Sequence, residues 1–179
     1  PLRLLHCSPV TDGAAAVLLC PLDQAKKYTD RPVRILGSGL ATGTLALADR
    51  KDISFLDAVA LSGERAFRMA GVKPADIQVA EVHDCFTPTE LVLMEDLGFA
   101  ERGMAWKEVL AGTFDLDGDL PVNPDGGLKS FGHPVGASGL RMHFENWLQL
   151  RGEAPEERRI KTADRGLGLV HNLGGYPGE

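Results

Sequence analysis

The sequence predicts a layered α/β domain in which helices pack on a sheet of mixed strand direction. Short apolar runs, typical of buried strands, alternate along the chain with longer segments that carry apolar residues at helical spacing. Glycine-rich stretches separate them, and the sequence shows no internal repeat or low-complexity tract. The 179 residues, of which 44% are hydrophobic, suit one domain with a sizeable core.

Four segments have the composition of strands. Residues 14–20 form a continuous apolar run, which predicts a strand buried on both faces. Residues 33–39 predict a second strand that runs into glycines. The other two are residues 78–83, which end at a histidine, and residues 168–173, which run into a diglycine turn. The last two strands therefore lead directly into residues of chemical interest.

Three helices follow from apolar spacing and from glycine stops. Residues 22–28 predict a short helix. Residues 54–69 carry apolar side chains at helical spacing, and Gly71 is placed to end that helix. The glycine-rich segment 132–139 opens a third helix, which runs to about Leu150.

A fourth helix is predicted from its first residues. Thr87 and Glu90 match a capping box, and Pro88 suits the first helical position. Gly98 ends this helix. The stretch 112–132 is rich in Gly, Asp and Pro and predicts a long loop.

Composition excludes several classes of function. The net charge of -6 leaves no basic surface for nucleic acid, and the longest apolar run is too short to span a bilayer. No secretory signal or lipidation motif is present, and three cysteines cannot all pair, so we expect a reducing cytoplasm. Because the chain starts without methionine and stops just after a glycine turn, we expect a piece of a longer polypeptide.

The segment AEVHDCF, residues 80–86, places a histidine, an aspartate and a cysteine at the end of a predicted strand. Side chains alternate between the faces of a strand, so His83 and Cys85 share one face if the strand continues that far. The helix that follows brings its positive end close to Cys85, a setting that lowers the pKa of a thiol. The alternative is structural, with Cys85 as a small buried side chain and His83 as a hydrogen-bonded core histidine.

Two glycine-rich loops also have the composition of binding sites. In residues 126–139 the glycines allow a ligand close to the backbone beside His133, and free amides at a helix start favour negative charge. The alternative is a tight turn with His133 as an exposed bystander. At residues 171–175, HNLGG, the amides of Gly174 and Gly175 are placed to donate to an oxyanion, although a plain turn explains this sequence equally well.

Metal sites are not predicted. Asp115, Asp117 and Asp119 resemble the start of a calcium loop, but Gly118 is misplaced and Gly126 stands where the closing glutamate belongs. No Cys or His pair has zinc-finger spacing. The acidic stretch therefore predicts a solvated turn.

Three motifs in this order and spacing resemble the C-terminal half of a thiolase: HDCF at 83–86, GHPVGASG at 132–139 and HNLGG at 171–175. The closest subgroup is the sterol-carrier-protein-type and archaeal acetoacetyl-CoA thiolases. Residues 1–20 resemble the last strand of the family's first half, and residues 21–179 resemble its C-terminal domain. The resemblance implies two related βαβαβαββ halves stacked in α-β-α-β-α layers, with the active site between them.

The resemblance also implies an activity, the reversible Claisen condensation or thiolysis of acyl-CoA thioesters, with acyl-CoA as substrate and no cofactor. Cys85 would be the acid/base that moves the α-proton, and His83 would donate to the thioester or enolate oxygen. His133 would activate the nucleophilic cysteine. The remaining candidates for contact with the substrate or its oxyanion are Gly174, Gly175, Asn123, Gly136 and Ser138.

Parts of the family pattern are missing from the sequence. The nucleophilic cysteine and the loop domain that holds CoA belong to the other half, and neither Cys7 nor Cys20 has the setting of that nucleophile. We therefore expect this chain alone to be inactive and the complete enzyme to be a homo-oligomer. Two alternatives stay open: a thiolase-like aldolase that cleaves sterol side-chain CoA esters with an OB-fold accessory protein, and a non-catalytic interaction or lipid-carrier module.

Overall fold

The structure of the protein is a computed structural model, and it describes residues 2–44, 46–161 and 166–174. Helices and strands occur in the mixed order expected of an α/β domain, which confirms the predicted class. In chain order they are α1 (Asp57–Ala70), β1 (Val79–Val82), α2 (Thr87–Asp96), α3 (Ala105–Ala111), α4 (Gly127–Phe131), α5 (Ser138–Arg151) and β2 (Gly168–His171). Short 3-10 helices lie at Leu4–His6, Leu22–Lys27, Leu47–Asp49, Pro74–Asp76 and Glu156–Arg158.

The two strands pair in parallel, with Val79 opposite Gly168 and Val82 opposite His171. On its other edge β1 makes an isolated parallel bridge from Ala80 to Val122. The described residues show antiparallel pairing only at the isolated bridge between Cys7 and Phe86. Thus β1 lies between β2 and the chain at Val122, and the predicted mixture of strand directions is confined to a single bridge.

The side chains of β1 alternate between two packed layers, as the strand geometry requires. Ala80 and Val82 point into the main core. Its other buried members come from α1, from α2 and the residue that follows it, and from the turn between α1 and β1: Val59, Phe67, Ile77, Leu93 and Leu97. Val79 points to the other face and packs with Ile160 and with Leu150 of α5. The sheet therefore lies between α1 and α2 on one side and α5 on the other.

The helices predicted from apolar spacing are confirmed within a few residues of their bounds. α1 ends at Gly71, whose φ of 71° is the left-handed conformation that favours glycine. α5 ends in the same way at Gly152. The segment predicted as a helix at residues 22–28 is a 3-10 helix over Leu22–Lys27.

The predicted capping box at the start of α2 is wrong. Thr87 is already the first helical residue, and the capping position belongs to Phe86, which makes no side-chain cap. The Glu90 carboxylate instead accepts a hydrogen bond from the Asn123 amide nitrogen at 2.7 Å. The proline within the first turn is confirmed.

Two predicted strands are absent from the described residues. Residues 14–20 are irregular, and Leu18 and Leu19 are exposed, because none of the described strands pairs with this run. Residues 33–39 are also irregular and lie against α1 rather than in the sheet. A methyl group on Gly39 would lie 2.0 Å from the Ser62 carbonyl oxygen, so glycine is what allows this close approach.

The predicted loop over residues 112–132 is shorter than expected, because α4 occupies its last part and α3 ends at Gly112. The first residue of α3, Ala105, is buried and packs with Met94 and Phe114. Helices this short have too few apolar repeats to be recognised from spacing, and tertiary packing supplies most of their stability.

We expect Gly39→Ala to destabilise the protein by about 1–3 kcal/mol, because the added methyl group would overlap the backbone of α1. Gly43→Ala is the matched control, since its methyl group would lie at an ordinary 3.5 Å from Ala58. Urea unfolding of the two variants measures the difference. Equal unfolding midpoints would contradict the packing described for residues 33–39.

Candidate active site

His83 is the first residue after β1, and the register of the sheet determines its neighbour. Val82 pairs with His171 at the ends of the two strands. The residues that follow them, His83 and Asn172, therefore lie side by side. His83 is 3% exposed, and its Nδ1 lies 2.7 Å from Asn172 Oδ1. An amide oxygen only accepts, so Nδ1 carries the proton and Nε2 of neutral His83 holds a lone pair.

His133 lies in the loop between α4 and α5, and its ring is oriented by the start of α5. Its Nδ1 is 2.7 Å from the Ser138 hydroxyl oxygen, and that hydroxyl donates to the Pro134 carbonyl at 3.1 Å. Since the single hydroxyl hydrogen is used for Pro134, the oxygen accepts from His133 Nδ1–H. Nε2 of His133 is then free to act as a base.

The two imidazoles meet edge to face, with ring centroids 4.9 Å apart and an interplanar angle of 89°. Burial lowers the pKa of both His83 and His133, and the nearby His133 ring further lowers that of His83. Both rings are therefore held neutral at pH 7. The structure brings together two of the three catalytic candidates that come from distant parts of the sequence.

Cys85 is a half-buried free thiol two residues beyond His83. Burial raises its pKa, and the nearby Asp84 and Cys7 raise it further, while the Phe86 amide acts in the opposite direction. The expected lowering by the helix start is therefore wrong, because dehydration outweighs the helix end. Strand alternation does not place His83 and Cys85 on one face, since β1 ends at Val82 and does not reach Cys85.

Asn123 is a buried residue in a turn, with a φ of 49°. Its Oδ1 accepts from the Val82 amide at 2.8 Å, and its Nδ2 donates to Glu90. Burial raises the pKa of Glu90 to about 7. The side-chain amide of Asn123 thus joins the end of β1 to α2, and its predicted contact with substrate stays a prediction.

The candidate glycines differ in their surroundings. Gly136 lines an open depression of about 450 Å³ between residues 11–15 and residues 134–137, and a methyl group there would meet nothing within 4 Å. Gly174 is equally free of neighbours. Gly175 lies outside the described residues. The two open glycines have the space that close approach of a ligand requires.

An ion cluster supports the site from the α5 face of the sheet. The Arg141 guanidinium lies 3.4 Å from the buried Glu81 carboxyl group and also pairs with the Asp125 carboxylate. It stacks over the Phe131 ring at 4.9 Å. Burial raises the pKa of Glu81 to about 8 even beside this arginine. The cluster links α5, β1 and the loop that leads into α4.

Sequence reasoning missed the partners that orient the two histidines. Asn172 follows directly after a predicted strand, and a parallel register between the two strands would have placed it beside His83. The ion cluster gave no signal in sequence, because Glu81 lies in an otherwise apolar strand and its partners are distant.

The described residues contain no group of three His, Cys, Asp or Glu side chains arranged to hold a metal ion. Cys7, Cys20 and Cys85 are all free thiols. None of the helices in the described part of the chain combines the length and apolar character needed to cross a membrane.

Comparison with known proteins identifies the family. The family model described as thiolase C-terminal domain-like matches residues 39–178. The chain is 50% identical over 178 residues to an acetyl-CoA acetyltransferase of Methanothermobacter thermautotrophicus, covering 99% of this chain and 46% of that protein. It is 38% identical to sterol carrier protein 2 of Oryctolagus cuniculus, covering 97% of this chain and 32% of that protein. The chain belongs to the thiolase C-terminal domain-like family.

A solved structure has the same fold. The Ltp2-ChsH2(DUF35) aldolase superposes with a TM-score of 0.79 at 24% identity, covering 97% of this chain and 44% of that chain. The chain spans less than half the length of each of these matched proteins. The resemblance inferred from the three sequence motifs is thereby confirmed.

The hydrogen bond from His133 to Ser138 fixes which ring nitrogen is protonated, so Ser138→Ala should change it. Long-range proton–nitrogen NMR of the wild type should show His133 protonated at Nδ1, and the variant should shift toward Nε2 protonation. His143 is the control, because its Nδ1 lies 2.7 Å from the Gly139 carbonyl oxygen and keeps that partner in the variant. An unchanged His133 spectrum would contradict the assigned bond.

Proposed function

We propose that the protein containing this chain is an acyl-CoA thiolase of the acetyl-CoA C-acyltransferase type. The observation that carries the proposal is the contact between the neutral imidazoles of His83 and His133. It occurs in a thiolase-family chain with a relative named acetyl-CoA acetyltransferase. The reaction is the reversible Claisen condensation of acyl-CoA thioesters.

His133 is proposed as the base for the nucleophilic cysteine. Its Nε2 takes the thiol proton as the sulfur attacks the thioester carbonyl, and returns it when CoA leaves as a thiol. The neutral ring suits this role, because an imidazolium cannot accept the proton. The nucleophile itself is proposed to lie in the remainder of the protein, which accounts for more than half the length of the archaeal relative.

Cys85 is proposed as the group that exchanges the α-proton. In condensation its thiolate removes a proton from the α-carbon of the second thioester, and the resulting enolate attacks the acyl-enzyme and expels the nucleophilic sulfur. In thiolysis the thiol returns a proton to the enolate after the carbon–carbon bond breaks. The raised pKa of Cys85 makes the neutral thiol its resting form, so condensation requires that this proton first leave.

Hydrogen-bond donors around the developing negative charge complete the mechanism. The Gly174 amide and, beyond the described residues, the Gly175 amide are proposed to face one oxyanion, with about 3 kcal/mol of barrier for each such donor. His83 is proposed to donate to the enolate oxygen. Donation from Nε2 requires a proton on that atom. Either the ring carries a second proton, or the Asn172 amide group is turned so that its nitrogen donates to Nδ1 and the single ring proton lies on Nε2. Contacts of Asn123, Gly136 and Ser138 with substrate belong to the same proposal.

The complete protein is proposed to be a cytoplasmic homo-oligomer that needs no cofactor. Residues 1–20 are assigned to the first half of the fold and residues 21–179 to the second. Residues 1–179 alone are expected to show no turnover, because catalysis needs the nucleophile of the other half. Acetyl-CoA exchange by this chain alone would contradict that assignment.

A thiolase-like aldolase is the second candidate, favoured by the structural similarity to the Ltp2-ChsH2(DUF35) aldolase. That similarity shows the fold alone, whereas the relative with 50% identity is named as an acetyltransferase. An accessory OB-fold partner would belong to the aldolase alternative. The absence of a nucleophilic cysteine from the first half of the protein would favour it over the thiolase, and so would retro-aldol cleavage of a sterol side-chain CoA ester.

In the full-length protein, Cys85→Ala should lower the rate of acetoacetyl-CoA formation at least about 100-fold, the usual range for a lost acid/base group. Acetylation of the nucleophile by acetyl-CoA, followed by mass spectrometry, should persist because it does not need Cys85. Cys20→Ala is the control, since Cys20 is a free thiol that has no proposed role in the site. A condensation rate in Cys85→Ala equal to that of the control would refute the assigned role and favour a non-catalytic module.

A further inference from the structure

Asp84 stands between the two catalytic candidates of the HDCF motif, and its side chain is buried, with 4% exposure. Its Oδ1 accepts the Leu128 amide at 2.6 Å and its Oδ2 accepts the Lys129 amide at 3.2 Å. Both amides belong to the first turn of α4, whose capping residue Gly126 has no side chain to accept them. The carboxyl group therefore attaches the start of α4 to the end of β1.

Glycine at position 127 is what allows this contact. Gly127 has a φ of 62°, and a methyl group on it would lie 2.2 Å from Asp84 Oδ2 and 2.6 Å from Asp84 Cγ. Real Cβ atoms do not come that close, so any other residue there would displace the carboxyl group. The Gly127 amide donates to Asp125 Oδ1 at 2.8 Å, which leaves the next two amides for Asp84.

A short path of bonds connects this cap to His133. Leu128 is fully buried, its amide is held by Asp84, and its carbonyl accepts the Gly132 amide at 3.0 Å. Gly132, with a φ of 95°, turns the chain directly into His133. Asp84 is in turn covalently adjacent to His83. The two histidines are therefore connected through a single side chain as well as by their ring contact.

We propose that Asp84 is the positioning residue of the site: by capping α4 it sets the position of the His133 ring against His83. Both of its carboxyl oxygens accept backbone amides, so its proposed role is exerted through α4 and not by contact with the reacting atoms. Its effect on turnover rests on the thiolase function proposed above, whereas its effect on the ring contact does not.

The test is Asp84→Asn in the full-length protein, in which one amide loses its acceptor because the asparagine NH2 faces it. We expect kcat for condensation to fall about 10- to 100-fold, since small displacements of catalytic groups cost this much, while KM for acetyl-CoA changes less than about 2-fold. The nuclear Overhauser contact between the His83 and His133 rings should weaken in parallel.

Asp96→Asn is the matched control. The buried Asp96 side chain also accepts a backbone amide at the start of a helix, that of Leu56 at 2.8 Å, and pairs with Arg102, but its contacts lie away from the histidines. We expect it to lower stability without changing kcat per folded molecule or the ring contact. If Asp84 only stabilises the fold, Asp84→Asn will also leave kcat per folded molecule and the ring contact unchanged, and the proposal is wrong.

Gly127→Ala should also displace the Asp84 carboxyl group, because the added methyl group would overlap it. We expect this variant to show the same fall in kcat and the same weakening of the contact between the two rings. If neither variant folds, hydrogen exchange in the wild type decides: slow exchange of the Leu128 and Lys129 amides supports the cap, and fast exchange overturns it. A wild-type ring contact and kcat in Asp84→Asn would also overturn the proposal. If the protein has no thiolase activity but the contact between the two rings still depends on Asp84, the proposed function is refuted and the positioning role of Asp84 stands.

Discussion

The parallel pairing of β1 with β2 determines which side chains meet at the carboxyl ends of the strands. The register that places Val82 opposite His171 makes His83 and Asn172 neighbours. A shift of one residue would turn each side chain to the other face of the sheet and separate this pair. It would also move the buried β1 residues out of the two layers in which they pack. The site is therefore fixed by the same register that fixes the core.

The environment of the site favours the uncharged form of each titratable group. Burial lowers the pKa of both imidazoles and raises that of the Cys85 thiol and the Glu90 carboxyl. For the histidines, the unfolded chain binds more protons than the folded chain below about pH 6.5, so their contribution to stability falls as the pH falls. A group of neutral proton donors and acceptors is well suited to a reaction whose charge develops on the substrate.

Much of the fold could be predicted from sequence, because glycine stops and apolar spacing are local signals. The strand before His83 and the helices ending at Gly71 and Gly152 show this. The sequence motifs also selected His83 and His133, whose rings meet in the structure, while their catalytic roles stay predictions. Residues 14–20 were predicted wrongly, because an apolar run does not reveal whether a pairing partner is present. The pKa of Cys85 differs from its prediction for a related reason, since burial and the electrostatic effect of Cys7 both depend on residues distant in sequence.

The most direct test of the account is whether His83 and His133 titrate as one coupled pair. NMR titration of the protein should give pKa values for both rings below that of an unperturbed histidine. Replacing His133 with glutamine should raise the pKa of His83, because the positive charge that forms on His133 no longer opposes protonation of its neighbour. Two rings that titrate independently at ordinary values, with His83 unaffected by the replacement, would contradict the convergence on which the proposed site rests.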